Sequence, residues 1–141
     1  MIVQIINKSA NELPKYETKG SAGLDLRSNF ETVIAPDKVA LIPTGLFMEI
    51  PEGYEMQIRS RSGLSIKGIV VRNAPATIDS DFRGEIKVIL HNQSESIFKV
   101  NIGDRIAQGV FNEVKQAHFT IAEALSDTER SNKGFGSTGF K

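Results

Sequence analysis

The chain has no cysteine and no tryptophan, only two histidines, and a net charge of zero from 17 basic and 17 acidic side chains. Without cysteine there is no disulfide framework, no thiolate nucleophile and no thiolate metal site. His91 and His118 alone do not suffice for a histidine-built zinc centre. Balanced charge leaves no overall field to draw the chain to nucleic acid or an anionic membrane, so any polyanion it binds is small and met locally. No apolar run approaches membrane-spanning length, and the opening MIVQIINKSA turns polar too early for a signal peptide; a soluble cytoplasmic protein without a membrane partner is expected. At 141 residues the expectation is one domain able to bury about two thirds of its unfolded surface.

Apolar residues alternate with period two in short runs broken by turn formers, the pattern of an all-β sandwich or barrel. Strands are expected at Val3–Ile6, Val39–Ile42, Leu46–Ile50, Tyr54–Arg59, Ile69–Val71, Glu85–His91, Ile97–Val100, Arg105–Phe111 and Phe119–Ile121. Pro36-Asp37, Pro51-Glu52-Gly53 and Gly103-Asp104 carry the residues of tight reversals between them.

Polar clusters interrupt this frame. Arg59-Ser60-Arg61-Ser62-Gly63-Leu64-Ser65 combines arginine forks, hydroxyls and a glycine, which together make a local anion nest; a solvated turn uses the same letters. It lacks the glycine spacing and the lysine-serine or lysine-threonine ending of a P-loop. The stretch from Asn73 to Gly84 lies between apolar strands and reads as a long β-hairpin or loop on a rigid frame. Asn73 can donate and accept at once, as a pyrimidine edge requires, and Asp79 can hold a sugar hydroxyl or take a proton from water; Asx turns are the alternative. Gly103 to Phe111 reads as a turn feeding a buried strand, with Gln108 as its one polar ligand candidate. The tail SNKGFGSTGFK, Ser131 to Lys141, can cover a ligand but cannot build a core: Gly134, Gly136 and Gly139 free the backbone, Arg130 supplies a charged fork, and Phe135 can stack on a nucleobase. A frayed terminus has the same composition.

In order, AGLDLRS at 22–28, RSGLS from Arg61, TIDSDFRGEI from Thr77, GDRIAQ from Gly103, and Arg130 with GFGSTG from Gly134 resemble the five motifs of the trimeric dUTPase family. The resemblance spans nearly the whole chain. It implies a jelly-roll-like, dUTPase-like β domain over residues 1–129 and a flexible glycine-rich lid over 130–141. It implies a homotrimer with active sites between subunits, and hydrolysis of dUTP to dUMP and pyrophosphate with magnesium (Mg2+). By analogy Asp79 activates the attacking water and holds the 3′-hydroxyl. Asn73 and neighbouring hairpin residues, Thr77 and Ile78 among them, read the uracil edge, and Phe82 packs under the deoxyribose. Arg61, Ser62, Gly63, Gln108 and Arg130 hold the triphosphate, while Phe135 with Gly136 and Ser137 closes over the nucleotide. Asp25 is expected near the water shell of the metal or bracing the phosphate-binding arginine.

Four departures from the family pattern carry expectations of their own. Ser60 replaces a proline and should loosen its turn. Ala76 replaces a glycine, so a left-handed backbone there would be strained. Phe82 replaces a tyrosine, and Ser131-Asn132-Lys133 replaces a glycine-containing step. The related dCTP deaminases carry a catalytic glutamate where this chain has Ile89, which cannot shuttle protons. A dUTPase-like module that chiefly binds a regulatory protein partner is the other alternative; the presence of the motif side chains disfavours loss of catalysis.

The composition of the tail implies that the β domain folds without it while the chemistry needs it. Truncation after Glu129 should leave the melting temperature unchanged and depress dUTP turnover by orders of magnitude, measured as pyrophosphate release; full activity in the truncated chain would contradict the lid assignment.

Overall fold

Short alternating segments bury one face only by pairing edge to edge and stacking sheet on sheet. A computed structural model of the chain describes residues 1–134. In chain order it forms β1 (Gln4–Asn7), β2 (Leu24–Arg27), β3 (Thr32–Ile34), β4 (Lys38–Pro43), β5 (Leu46–Glu49), β6 (Tyr54–Arg59), the single turn α1 (Ser62–Ser65), β7 (Ile69–Val71), β8 (Ala76–Ile78), β9 (Lys87–Asn92), β10 (Phe98–Val100) and β11 (Arg105–Glu113). The all-β, jelly-roll-like architecture holds. A four-stranded sheet runs β2-β11-β6-β8 and a three-stranded sheet β4-β9-β7, with the ribbons β1-β5 and β10-β3 beside them. Among the described residues no helix is long and apolar enough to cross a membrane.

Leu24, Leu26, Met56, Ile58 and Ile106 of the larger sheet and Ile42, Ile69, Val71, Val88 and Leu90 of the smaller share one buried cluster. Each large side chain so buried stabilises the fold by about 1.5–3 kcal/mol relative to exposure. On β9 the pleat sends Val88 and Leu90 inward and Lys87 and Ile89 to the opposite face. His91 shares that opposite face yet is buried, because Arg72 and Asp37 close against its ring.

The strands expected at 54–59 and 69–71 match their observed bounds, and most others shift by one or two residues. Strands β2, β3 and β8 were not anticipated: each has only three or four residues, and β2 and β8 lie inside segments whose polar residues read as motif or loop. Phe119–Ile121 is not a strand. Phe119 and Ile121 are 95% and 105% exposed, and among the described residues no strand pairs with them. Exposed apolar side chains also line the outer face of the smaller sheet, where Leu41 pairs with Ile89 and Val39 with His91.

Candidate active site

The centre of the larger sheet aligns the first polar constellation. Antiparallel pairing sets Asp25 of β2 opposite Gln108 of β11, and Gln108 opposite Arg59 of β6, so these three side chains share one face. The chain then leaves β6 through Ser60 and reaches Arg61, the extended residue that caps α1. Asp25 Oδ1 lies 2.8 Å from Arg61 Nε, and Asp25 Oδ2 lies 3.3 Å from Arg105 Nη1. Arg61 Nη1 also donates to the Arg105 carbonyl at 3.0 Å. The carboxylate is thus clamped between two guanidiniums, with Glu17 4.0 Å from Arg105 on the outside. With Asp25 18% and Arg61 30% exposed, this pair is worth little as raw stability; its effect is to fix the direction of Arg61. A guanidinium carries five N–H donors, so the brace leaves three for a ligand.

Gln108 is held by its Nε2 donating to the Ser60 carbonyl at 2.9 Å. Gly23 makes room for it: a Cβ there would come within 2.6 Å of Gln108 Oε1. Ser62 and Gly63 are exposed in the first turn of α1, where backbone N–H groups lack intrahelical partners. The phosphate-type loop is therefore a one-turn helix start rather than an irregular nest. Ser60 does not loosen it, because its Oγ accepts the Val71 N–H at 2.8 Å and ties the loop to β7.

The second constellation flanks β8, and the segment is not a hairpin: β7 pairs with β9 in the smaller sheet and β8 with β6 in the larger, so the chain crosses from one sheet to the other here. Asn73 is exposed in its turn, next to a cis Ala74–Pro75 peptide. Ala76 is 8% exposed and lies in β8 with no left-handed φ, so the expected strain does not arise. Ile78 pairs with Met56 and Thr77 with Gln57, which ends β8 level with the start of β6. Asp79 follows, its carbonyl accepting the Phe82 N–H at 3.2 Å. Arg83 stitches this turn by donating to the carbonyls of Ser80 (2.6 Å) and Phe82 (3.2 Å) and by standing 3.5 Å from Glu49. The Phe82 ring folds onto Gly84, where a Cβ would meet it at 2.5 Å. Asp79 and Phe82 are both exposed, and Asp79 lines an open hollow together with Tyr54, Thr77, Asp81 and Arg83.

Further along, Arg130 Nε donates to the Lys133 carbonyl at 3.1 Å, and Ser131 takes φ +47 where the family pattern has its glycine step. That conformation costs a serine about 1–2 kcal/mol. Phe135, Gly136 and Ser137 lie outside the described residues. Arg105, Arg83 and Glu17 were missed as members of the site. Arg105 was legible in principle: a charge at the start of an otherwise apolar strand needs a partner, and Asp25 breaks an apolar pair in the same way.

A dUTPase family model matches residues 9–139. The chain belongs to the dUTPase family. Its curated relatives include the deoxyuridine 5'-triphosphate nucleotidohydrolases of Finegoldia magna, 51% identical over 143 residues with 99% of this chain and 100% of the relative covered, and of Chlamydia pneumoniae, 56% identical over 135 residues with 93% of each covered. The fold also superposes on the Staphylococcus bacteriophage 80alpha dUTPase bound to dUPNHPP, with a TM-score of 0.91, 27% identity and 98% of both chains covered. Phage dUTPases of that kind are described as controlling transfer of virulence genes by a G protein-like mechanism. Within the dUTPase family pattern, Ile89 pairs with Leu41 on β4 in an apolar setting, as the dUTPase reading rather than the deaminase reading requires.

The clamp on Asp25 generates a prediction. Asp25→Asn keeps the shape but removes the charge that aims Arg61, so KM for dUTP should rise about tenfold with the melting temperature little changed. Steady-state kinetics beside a thermal melt check this; an unchanged KM would show that Arg61 needs no brace.

Proposed function

We propose that this chain is a dUTP diphosphatase, converting dUTP and water to dUMP and pyrophosphate, and so keeping uracil out of DNA while supplying dUMP. The observation that carries the reading is the convergence of Asp25, Arg61 and Gln108, far apart in sequence, into one braced anion corner, in a chain that presents Asn73 and Asp79 in the exposed segments on either side of β8. In this reading Arg61, the Ser62 and Gly63 backbone and Gln108 grip the phosphates, which neutralises charge that would repel a nucleophile. Asp79 accepts a proton from water and orients it in line with the leaving pyrophosphate. Asn73, Thr77 and Ile78 meet the uracil edge, Phe82 excludes a 2′-hydroxyl, and residues 130–141, with Arg130, Phe135, Gly136 and Ser137, close as a lid over the 1–129 domain.

The residues fit a magnesium ion held chiefly by substrate. Among the described residues no group of three or more acidic or histidine side chains could cage a metal, and both oxygens of Asp25 already meet arginines. Magnesium sites of this type rely on phosphate oxygens and retained waters, with Asp25 reached only through water. When bound, the ion supplies additional neutralisation of phosphate charge.

A single chain does not complete this site. Asp79 is level with Glu55 at one end of β6, whereas Arg61 lies beyond the other end, about 20 Å away at strand spacing. No nucleotide phosphate can touch both, so Asp79 of one copy works with Arg61 of another. The exposed Val39, Leu41, Phe119, Ile121 and Leu125 supply apolar surface for such an assembly, in keeping with a homotrimer. A cytoplasmic location agrees with the substrate.

Asp79→Asn tests the chemistry. It should retain substrate affinity and lose roughly a hundredfold to ten-thousandfold in single-turnover rate. Wild-type protein given dUTP, dCTP and magnesium should release pyrophosphate from dUTP and no ammonia from dCTP. Near wild-type turnover by Asp79→Asn would reassign the base, and ammonia release would overturn the diphosphatase reading.

A further inference from the structure

His91 on β9 is 4% exposed and takes no part in the chemistry above. Its Nδ1 lies 2.9 Å from Arg72 Nη1 and its Nε2 lies 3.1 Å from Asp37 Oδ1. Its partners on the neighbouring strands, Val39 of β4 and Val70 of β7, are apolar, so Arg72 and Asp37 are the charged groups that meet the ring. A guanidinium only donates, which requires Nδ1 to accept. The proton of the neutral ring therefore sits on Nε2 and is donated to the Asp37 carboxylate. The other tautomer turns an N–H at Arg72 and loses that bond.

Arg72 directly follows β7 and immediately precedes Asn73. Its own N–H donates to the Ile89 carbonyl at 2.8 Å, so its main chain is pinned to β9 while its side chain is pinned to the ring of His91 on the same strand. Asn73 thus leaves from a residue fixed at two points, in a turn that is otherwise exposed.

We propose that His91, as the neutral Nε2–H tautomer, is a positioning residue for the nucleotide base: by holding Arg72 it sets the angle at which Asn73 meets uracil. The inference rests on the assignment of Asn73 to the base. Because Asp79 lies on the far side of β8, the effect falls on binding of dUTP rather than on water attack.

The test compares wild type, His91→Leu, His91→Gln and Arg72→Met in dUTP kinetics, with nitrogen-resolved NMR of the imidazole in the wild type. Leucine cannot accept from Arg72. Glutamine can accept through its carbonyl and donate through its amide. His91→Leu should raise KM about tenfold while kcat stays within about threefold, and His91→Gln should restore KM toward wild type. The spectra should show the proton on Nε2. Should His91→Leu fail to fold, Arg72→Met, at an exposed residue, should give the same rise in KM. Unchanged KM in the variants that fold, or a proton on Nδ1, would overturn the proposal while leaving the diphosphatase reading intact. Wild-type protein that does not turn over dUTP would overturn that reading, and this inference with it.

Discussion

Strand β11 lies between β2 and β6, and the register of those two pairings sets the distances on which function rests. It brings Asp25, Gln108 and Arg59 to one face, and it places Arg61 close enough for its guanidinium to meet both Asp25 and the Arg105 carbonyl. A one-residue slip in either pairing would send Gln108 or Asp25 to the apolar interior. The same rigidity has a cost. β6 holds the anion corner at one end and, through β8, Asp79 at the other, and a strand cannot shorten to bring them together. A rigid sheet that aims each half-site well therefore points to association between copies as the means of completing the site.

Around that frame, the polar contacts tie segments together more than they add stability. Ser60 receives Gln108 on its carbonyl and Val71 on its hydroxyl, linking the Arg61 corner to the strand that leads toward Asn73. Arg83 plays the matching part for the Asp79–Phe82 turn, with donors to two of its carbonyls and Glu49 nearby. Most of these groups are partly exposed, where ion pairs contribute about 1 kcal/mol or less. Their value lies in preorganisation, since a side chain already aimed loses less freedom when the nucleotide arrives.

Much of this was legible in the residues. Period-two alternation located the strands that carry Met56, Ile58, Val88 and Leu90, because a half-buried pleat needs that pattern. The motif order located Asp25, Arg61, Asn73, Asp79 and Gln108. What alternation could not show was strands of three or four residues whose outward positions are polar: in β2 the sequence Leu-Asp-Leu-Arg is a strand and a motif at once, and in β8 only Ala76 is buried. Phe119–Ile121 misled for the opposite reason. It has strand composition without a partner among the described residues, and a pattern of one chain carries no information about a second. The partners of His91 were likewise hidden, because Asp37, Arg72 and His91 come together only through the packing of β4, β7 and β9.

The central claim, that each site draws Asp79 and Arg61 from different copies, is tested most directly by mixing two inactive variants. Arg61→Ala and Asp79→Asn are purified separately, unfolded together in equal amounts and refolded. If the copies share sites, random assembly should restore about a quarter of wild-type activity, because that fraction of sites receives an intact arginine and an intact aspartate. A mixture no more active than its two components would place both groups in one chain and contradict the account.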